Sequence, residues 1–377
     1  MKRPLFVLIS TILVLVLVSC GTATTAAPAP TSAPVTAPTT APATQAPVAT
    51  QAPAATQAPA ATMAPASGSL DFTTDFWTTP FKATKQWVIG VSYQNLAFPY
   101  VAAMQKAIEN RAAAIGVKLI EADAANDTNK ELANVEDILA QKPDLLLFEA
   151  ASLDASVASI TAANKAGIPV VQFNGKASGG DYVSFIGSQQ SDSGTLLGQF
   201  LVNLRTSSGK DTLSGIYLRG VAGQVTDIAR NDGMKKVLAD AGLTSKFTFV
   251  EQYANYDRPT AQTVTESILS KSTKYDFIVS NNDDMLLGAL AATTQAGVSI
   301  PMCGVDGLPE TLADIKAGKV ASTVFQNPEG QAAGALTAAV AYLQGATLPK
   351  QVLIPFILVT PANVDQVLAI ATRVYGK

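Results

Sequence analysis

The sequence of 377 residues contains no histidine. This absence excludes imidazole metal ligands, serine–histidine and cysteine–histidine nucleophile pairs, and the HExxH motif of zinc proteases. Two cysteines, Cys20 and Cys303, are too few for a disulfide framework. The sequence also lacks a GxxxxGK[S/T] phosphate-binding loop, and no GxGxxG motif follows the first predicted strand. We expect no catalytic residue, no metal and no cofactor.

Charged residues make up only 15% of the chain, and their signs nearly balance, with 26 basic and 29 acidic side chains. Because nucleic-acid-binding chains are normally basic, no nucleic-acid partner is expected. Hydrophobic residues make up 48%, which excludes a chain that is disordered throughout. The length predicts about two to three domains.

The amino-terminal segment reads as an export signal. Lys2 and Arg3 precede the uncharged apolar residues 5–18, which as a helix would reach about 21 Å, short of a bilayer core of about 30 Å. Residues 17–21, LVSCG, resemble the lipobox at which bacterial lipoproteins are cleaved. We expect a signal peptide at 1–19 and a lipidated Cys20; the alternative is an ordinary secretory peptide with an incidental cysteine.

A low-complexity segment follows the signal. Residues 21–68 repeat TAP and QAP units and carry nine of the 21 prolines and no charge, so they cannot bury a core. We expect residues 20–84 to be the lipidated cysteine and a disordered Thr/Ala/Pro linker. The folded part would then be extracytoplasmic and anchored to the membrane by lipid.

From about residue 85, short apolar runs alternate with longer helical patterns. Runs of four to six apolar residues with helices between them are typical of parallel strands that are covered on both faces. The pattern then repeats: residues 142–148 (KPDLLLF) and 274–280 (KYDFIVS) are 132 positions apart, as are Pro169 and Pro301. Two equivalent α/β lobes are predicted, with a ligand cleft at the carboxyl ends of their strands.

Four motifs carry a family resemblance. They are KELANVED at 130–137, SNNDDMLLGAL at 280–290, GVDGLPE at 304–310 and FQNPEGQAAGA at 325–335. With these motifs, the chain from residue 85 to its end resembles the periplasmic sugar-binding proteins of ABC importers, in the ribose-binding branch of the type I family. The resemblance implies two doubly wound, Rossmann-like parallel-sheet lobes joined by a hinge of three crossovers. The expected boundaries are 85–188 with 327–355 for lobe 1, and 189–326 with 356–377 for lobe 2.

Candidate ligand-binding residues stand where predicted strands end. In lobe 1 they are Gln94, Phe98, Tyr100, Glu149 and Asn174. In lobe 2 the resemblance implies Arg230, Tyr256, Asn282, Asp306 and Gln326. Aromatic rings pack on the C–H faces of a sugar, while amide, carboxylate and guanidinium groups pair with its hydroxyls. As alternatives, the lobe 1 aromatics could staple a helix start to the core, and its polar residues could cap helices or face solvent.

Lobe 1 departs from the ribose-binding pattern. Asn174-Gly175 stands where ribose binders have Asp-Arg, Glu149 replaces an asparagine, and Gln94 replaces a serine; outside lobe 1, Val305, just before Asp306, replaces an aromatic residue. These changes predict a related small polyol, such as a pentose, hexose, inositol or sugar derivative, rather than ribose itself. The loss of an arginine together with the gain of Glu149 would favour an amino or cationic group.

The resemblance implies a non-catalytic solute-binding protein, a monomer, that delivers a monosaccharide or small polyol to an ABC permease. An alternative is a receptor subunit that senses an autoinducer-like sugar for chemotaxis or signalling. A transcription regulator is excluded because the export signal occupies the place of a DNA-binding domain. An enzyme that uses Glu149 and Asp306 as a carboxylate pair is the remaining alternative.

Overall fold

The computed structural model describes residues 70–375. The predicted signal peptide, Cys20 and most of the predicted linker lie outside the described residues. Within the described range, no helix has both the length and the apolar character needed to cross a bilayer.

Strands and helices alternate along the described chain. The strands are β1 (Val88–Tyr93), β2 (Lys118–Asp123), β3 (Leu145–Phe148), β4 (Val170–Phe173), β5 (Ser184–Gly187), β6 (Leu213–Arg219), β7 (Phe247–Tyr253), β8 (Phe277–Ser280), β9 (Met302–Asp306), β10 (Ser322–Phe325), β11 (Gln351–Leu353) and β12 (Ile357–Val359). The helices are α1 (Pro99–Ile115), α2 (Thr128–Ala140), α3 (Val157–Lys165), α4 (Gln190–Ser208), α5 (Val225–Asp240), α6 (Arg258–Leu269), α7 (Asp283–Gln295), α8 (Pro309–Lys316), α9 (Pro328–Leu343) and α10 (Val364–Tyr375). Short 3-10 helices occur at Phe76–Thr78 and Thr244–Lys246.

The strands of residues 70–375 form two six-stranded sheets. Lobe 1 has the order β11-β5-β4-β3-β1-β2, and all its neighbouring strands are parallel. Lobe 2 has the corresponding order β12-β10-β9-β8-β6-β7, with β12 antiparallel to β10. The predicted pair of doubly wound α/β lobes is confirmed.

The central strands are buried on both faces, as their continuous apolar sequences predict. In β3, Leu145 and Leu147 pack with α1 and α9, whereas Leu146 and Phe148 pack with α2 and α3. All four side chains are fully buried. Each contributes about 1.5–3 kcal/mol relative to an exposed side chain.

The internal repeat of the sequence is a repeat of structure. β3 and β8 begin at Leu145 and Phe277, and β4 and β9 begin at Val170 and Met302. Both pairs are 132 residues apart (277 − 145 and 302 − 170). Equivalent strands therefore place equivalent loops at the facing edges of the two sheets.

The chain passes between the sheets three times. The crossings lie between β5 and α4, between β10 and α9, and between β11 and β12. The Gln331 amide donates to the Ser188 hydroxyl at 2.7 Å, and Ser188 donates to the Ile354 carbonyl at 2.6 Å. These hydrogen bonds tie the first and third crossings to the start of α9.

The prediction that the linker extends to residue 84 is wrong at its carboxyl end. Phe76 and Trp77 are 1% and 6% exposed and pack on α9 of lobe 1. Gly330 and Gly334 of α9 face these rings; a Cβ at Gly330 would lie 3.0 Å from the Trp77 ring. The aromatic side chains that begin at Phe72 bury enough apolar surface to hold this segment on the lobe, which the preceding TAP and QAP repeats cannot do.

Candidate functional site

The loops at the carboxyl ends of the strands of both lobes meet around a cavity of about 40 Å³. It is lined by Gln94, Phe98, Tyr100, Val101, Asn174, Gln224, Thr226, Arg230, Tyr256, Asn282, Asp306 and Gln326. Nine of the ten predicted site residues are in this lining. Of the predicted set, only Glu149 is not.

Glu149 lies behind the lobe 1 wall of the cavity. Its side chain is fully buried after β3, and its carboxylate accepts from the Gln94 backbone N–H at 3.1 Å and from the Asn174 amide at 2.5 Å. Burial raises the pKa of Glu149 from 4.5 to about 7, although these two hydrogen bonds favour the charged form. Glu149 therefore supports two lining residues from behind and does not present its carboxylate to the cavity.

Each of the two lining amides of lobe 1 has one N–H of its NH₂ group engaged by a neighbouring side chain. Gln94 Nε2 donates to Asn126 Oδ1 at 3.1 Å, and Asn174 Nδ2 donates to Glu149. Asn174 Oδ1 is buried and has no hydrogen-bond partner among the described residues. Asn174 has a φ of +49°, a left-handed conformation that asparagine tolerates better than most residues. The wall therefore offers amide oxygens, which are hydrogen-bond acceptors.

Arg230 is the cation of the lobe 2 wall. It stands on α5, is 3% exposed, and donates to Gln190 Oε1 at 3.1 and 3.3 Å and to Gln326 Oε1 at 3.3 Å. It also donates to the Asn281 carbonyl. Because four contacts hold the planar guanidinium, its orientation is set before any ligand arrives.

Asp306 is the carboxylate of the lobe 2 wall. One carboxylate oxygen lies 3.9 Å from Arg230 Nη2. Burial raises the pKa of Asp306 well above its ordinary value, although the charge of Arg230 opposes this. Asp306 has a φ of +131°, which is unusual for a residue with a side chain and stores backbone strain at the end of β9.

The strained turn at Asp306 is held by the neighbouring Asp283. Its carboxylate accepts from the Gly307 and Leu308 backbone N–H groups at 2.8 and 2.9 Å and from the Thr323 hydroxyl at 2.6 Å. Burial raises the pKa of Asp283 to about 6. Asp283 thus fixes the backbone that carries Asp306.

Two rings from opposite lobes meet at the cavity. Phe98, at the start of α1, and Tyr256, after β7, lie edge to face with their centroids 5.6 Å apart. The Tyr256 and Thr226 hydroxyls are 2.9 Å apart and hydrogen-bonded. An edge-to-face pair across the cleft adds about 0.5–1.5 kcal/mol beyond area burial, so it favours the closed arrangement of the lobes.

Sequence reasoning missed Val101, Gln224 and Thr226 in the lining, and Gln190 and Asn281 behind Arg230. Gln224 and Thr226 follow β6, at the same end of the sheet as the predicted residues, so strand-end position is a signal that could have found them. Gln190 is the first residue of α4, and only the packing of α4 against α5 brings it to Arg230.

Residues 89–347 match the family model of the periplasmic binding protein domain. The chain belongs to this family. It is 31% identical over 286 residues to a ribose import binding protein of Bacillus subtilis, covering 75% of this chain and 91% of that protein.

Solved structures give the same result. A solute-binding protein of an ABC transporter from Bacillus halodurans, with bound myo-inositol, matches with a TM-score of 0.70 and 30% identity. That match covers 76% of this chain and 98% of the other. A Caulobacter myo-inositol binding protein matches with a TM-score of 0.70 and 28% identity, over 78% of this chain and 99% of the other.

Membership in this family makes the chain a binding protein of a transport system rather than an enzyme. The sequence analysis left one alternative, an enzyme that uses Glu149 and Asp306 as a carboxylate pair. The positions of these two side chains do not fit that alternative. Glu149 is separated from the cavity by Asn174, while Asp306 lines the cavity, so the two carboxylates do not flank a common substrate position as a glycosidase requires.

Proposed function

We propose that this periplasmic binding protein carries a monosaccharide or a small cyclic polyol to the permease of an ABC importer. The observation that supports this most directly is the lining of the cavity at the junction of the lobes. It combines the apolar rings of Phe98 and Tyr256 with a fixed Arg230, a buried Asp306 and several amides. Rings suit the C–H faces of a sugar, and the polar groups each suit one or two hydroxyls.

The polar pattern disfavours ribose as the ligand. Lobe 1 carries Asn174-Gly175 in place of an aspartate and an arginine, and a Cβ on Gly175 would lie 2.6 Å from the Ala150 carbonyl oxygen, which leaves no room for a side chain in this arrangement. A buried polar group left unpaired costs about 1–3 kcal/mol, so a different wall selects a different hydroxyl pattern. Two similar proteins have been solved with bound myo-inositol, so a hexose or an inositol is the first ligand to test.

The amino-terminal sequence supports attachment to the outer face of a membrane. The apolar run at 5–18 is followed by the lipobox-like residues 17–21, so Cys20 would carry the lipid. The repeats at 21–68 would act as a tether that lets a monomeric binding domain reach the permease. The three crossings between the lobes are the hinge about which the cleft would close on its ligand.

The first experiment identifies the ligand. The protein is purified without added sugar and denatured, and the released small molecules are analysed by mass spectrometry; calorimetric titration then compares pentoses, hexoses, inositols and amino sugars. A retained or titrated polyol is expected. Tight binding of ribose alone would contradict the inference drawn from the lobe 1 wall, and binding of none of these classes would contradict the proposed function.

A pair of variants tests the site. Asp306→Asn removes the lining carboxylate and should weaken ligand binding by about a hundredfold, since truncating a buried charged partner costs about 2–5 kcal/mol. Asp284→Asn is the matched control. Asp284 lies on α7, outside the cavity lining, and its carboxylate pairs with Arg258 at 2.9 Å. Equal affinities of both variants and the parent protein would exclude this cavity as the binding site.

Deletion of the gene separates an importer from a sensor. The importer requires that uptake of the identified ligand is lost. Intact uptake with a lost chemotactic or transcriptional response would instead assign the chain to a signalling system.

A further inference from the structure

The hydrogen-bonding character of the cavity differs between the lobes. In lobe 1, Gln94 Nε2 donates to Asn126 Oδ1, and Asn174 Nδ2 donates to the Glu149 carboxylate. Each amide therefore has its oxygen left for a ligand. Each NH₂ group has one of its two N–H bonds engaged, so the two amide oxygens are the groups of these side chains that have no hydrogen bond within the protein.

Lobe 2 has the opposite character. Asn282 Oδ1 accepts from the Met285 backbone N–H at 3.0 Å, so its NH₂ group remains. Gln326 Oε1 accepts from Arg230 at 3.3 Å and from the Gln190 amide at 3.4 Å, so its NH₂ group also remains. Four contacts already engage the Arg230 guanidinium, so these amide NH₂ groups are the main free donors of the lobe 2 wall, and Asp306 adds a carboxylate acceptor.

The charge behind the lobe 1 wall is not balanced by a cation. In the described part of the chain, Glu149 forms no ion pair, and its carboxylate accepts from the neutral N–H groups of Gln94 and Asn174. A Cβ on Gly175, the residue after Asn174, would lie 2.6 Å from the Ala150 carbonyl oxygen. This position therefore has no room for a side chain such as that of arginine. The Glu149 carboxyl group thus stands behind the Asn174 amide and the Gln94 backbone, and a cation bound in front of this wall would favour its ionised form.

We propose that lobe 1 receives a protonated amine, so that the ligand is an amino-substituted monosaccharide or cyclic polyol. An ammonium group has three donors and no lone pair, which matches amide oxygens backed by a carboxylate. A hydroxyl group in the same position has one donor, and its lone pairs face the amide oxygens. The remaining hydroxyls of the ligand then face Arg230, Asp306 and the lobe 2 amides. This inference rests on the proposed function and specifies its ligand.

In this arrangement, Glu149 is a positioning residue. By accepting from Asn174 Nδ2 at 2.5 Å, it fixes the amide with Nδ2 against the carboxylate and Oδ1 without a partner in the protein. A neutral glutamine at this position can instead donate to Asn174 Oδ1 and turn the amide, so that the wall would offer a donor.

The test uses matched pairs of ligands that differ by one amino group: D-glucose and D-glucosamine, D-galactose and D-galactosamine, and myo-inositol and its monoamino analogue. Calorimetry on the full-length protein without its signal peptide should give at least about tenfold tighter binding of the amine in one or more pairs. If the parent alcohol binds as tightly as the amine or more tightly in every pair, the inference fails while the proposed function stands. If neither member of any pair binds and no pentose binds, both fail.

A second measurement tests the role of Glu149. In Glu149→Gln, the ratio of amine to alcohol affinity should fall by about tenfold or more relative to the parent protein. Glu131→Gln is the control: Glu131 is a buried carboxylate of the same lobe that accepts from the Ala151 N–H and from Ser156 and Ser159, away from the cavity lining. In Glu131→Gln, the ratio of amine to alcohol affinity should equal that of the parent protein. If the ratio of amine to alcohol affinity is unchanged in a Glu149→Gln protein that is folded, as shown by a single cooperative melting transition, the inference is overturned.

Discussion

Replacing Glu149 by glutamine should make the ligand-free protein more stable at neutral pH. The side chain keeps its size and loses a charge that is fully buried without a cationic partner among the described residues. Glutamine can still accept one of the two hydrogen bonds that now reach the carboxylate, and it can donate to the unpartnered Oδ1 of Asn174.

The magnitude follows from proton linkage. Folding raises the pKa of Glu149 from 4.5 to about 7, so between these values the native state binds more protons than the unfolded state. The free energy of unfolding therefore falls as pH rises through this window. At about 1.4 kcal/mol per pKa unit, the cost of the charged form reaches roughly 3 kcal/mol above pH 7. The glutamine variant does not pay this cost.

Urea unfolding at several pH values measures the effect. Both tryptophans, Trp77 and Trp87, pack in the core of lobe 1, so their fluorescence reports on the lobe that contains Glu149. The stability of Glu149→Gln relative to the parent protein should increase by up to about 3 kcal/mol between about pH 4.5 and about pH 8. Glu136→Gln controls for the loss of one exposed charge on α2. A difference that is constant with pH would refute the reasoning.

Three further substitutions have definite expected results. Arg230→Lys should weaken ligand binding by about a hundredfold in calorimetry, because an ammonium cannot hold the oxygens of Gln190 and Gln326 as the guanidinium fork does; unchanged affinity would contradict the site. Trp77→Ala should lower the free energy of unfolding in urea by about 3 kcal/mol, and no loss would mean that residues 70–84 do not stabilise lobe 1. Cys20→Ser should move the protein from the membrane fraction to the soluble fraction, and continued membrane association would contradict lipid anchoring.

The charged Glu149 side chain is a cost that the fold does not require. The pattern of continuous buried strands stabilises lobe 1 without it, and a neutral side chain of the same size would fit the same contacts. A carboxylate in such a place is explained by what it does to its neighbours, since it orients the amide of Asn174 and adds negative charge behind the wall. If lobe 1 receives an ammonium group as proposed, stability and ligand selectivity make opposite demands on Glu149.

Much of the fold was predictable because its signals are local. The apolar run of β3 and its copy in β8 predict strands buried on both faces, and their spacing predicts two equivalent lobes. The position of a residue just after such a strand is also local, and it places Asn174, Asn282 and Asp306 at the cleft. Nine of the ten predicted residues line the cavity; strand-end position accounts for several of them, and the family resemblance supplied the lobe 2 set, which includes Arg230 on α5.

The amino-acid sequence alone determined the two-lobed α/β architecture and that strand ends carry the cleft residues, because the alternation of apolar strands with helices and its repeat after 132 residues are patterns of the chain itself. Only the tertiary structure decided that Glu149 stands behind Asn174, that Gln190 holds Arg230, and that Trp77 belongs to lobe 1. Glu149 meets Gln94 and Asn174 across 55 and 25 residues of chain, and Gln190 meets Arg230 across 40. Which way a side chain turns at the end of a strand depends on such distant partners, and no local pattern records them.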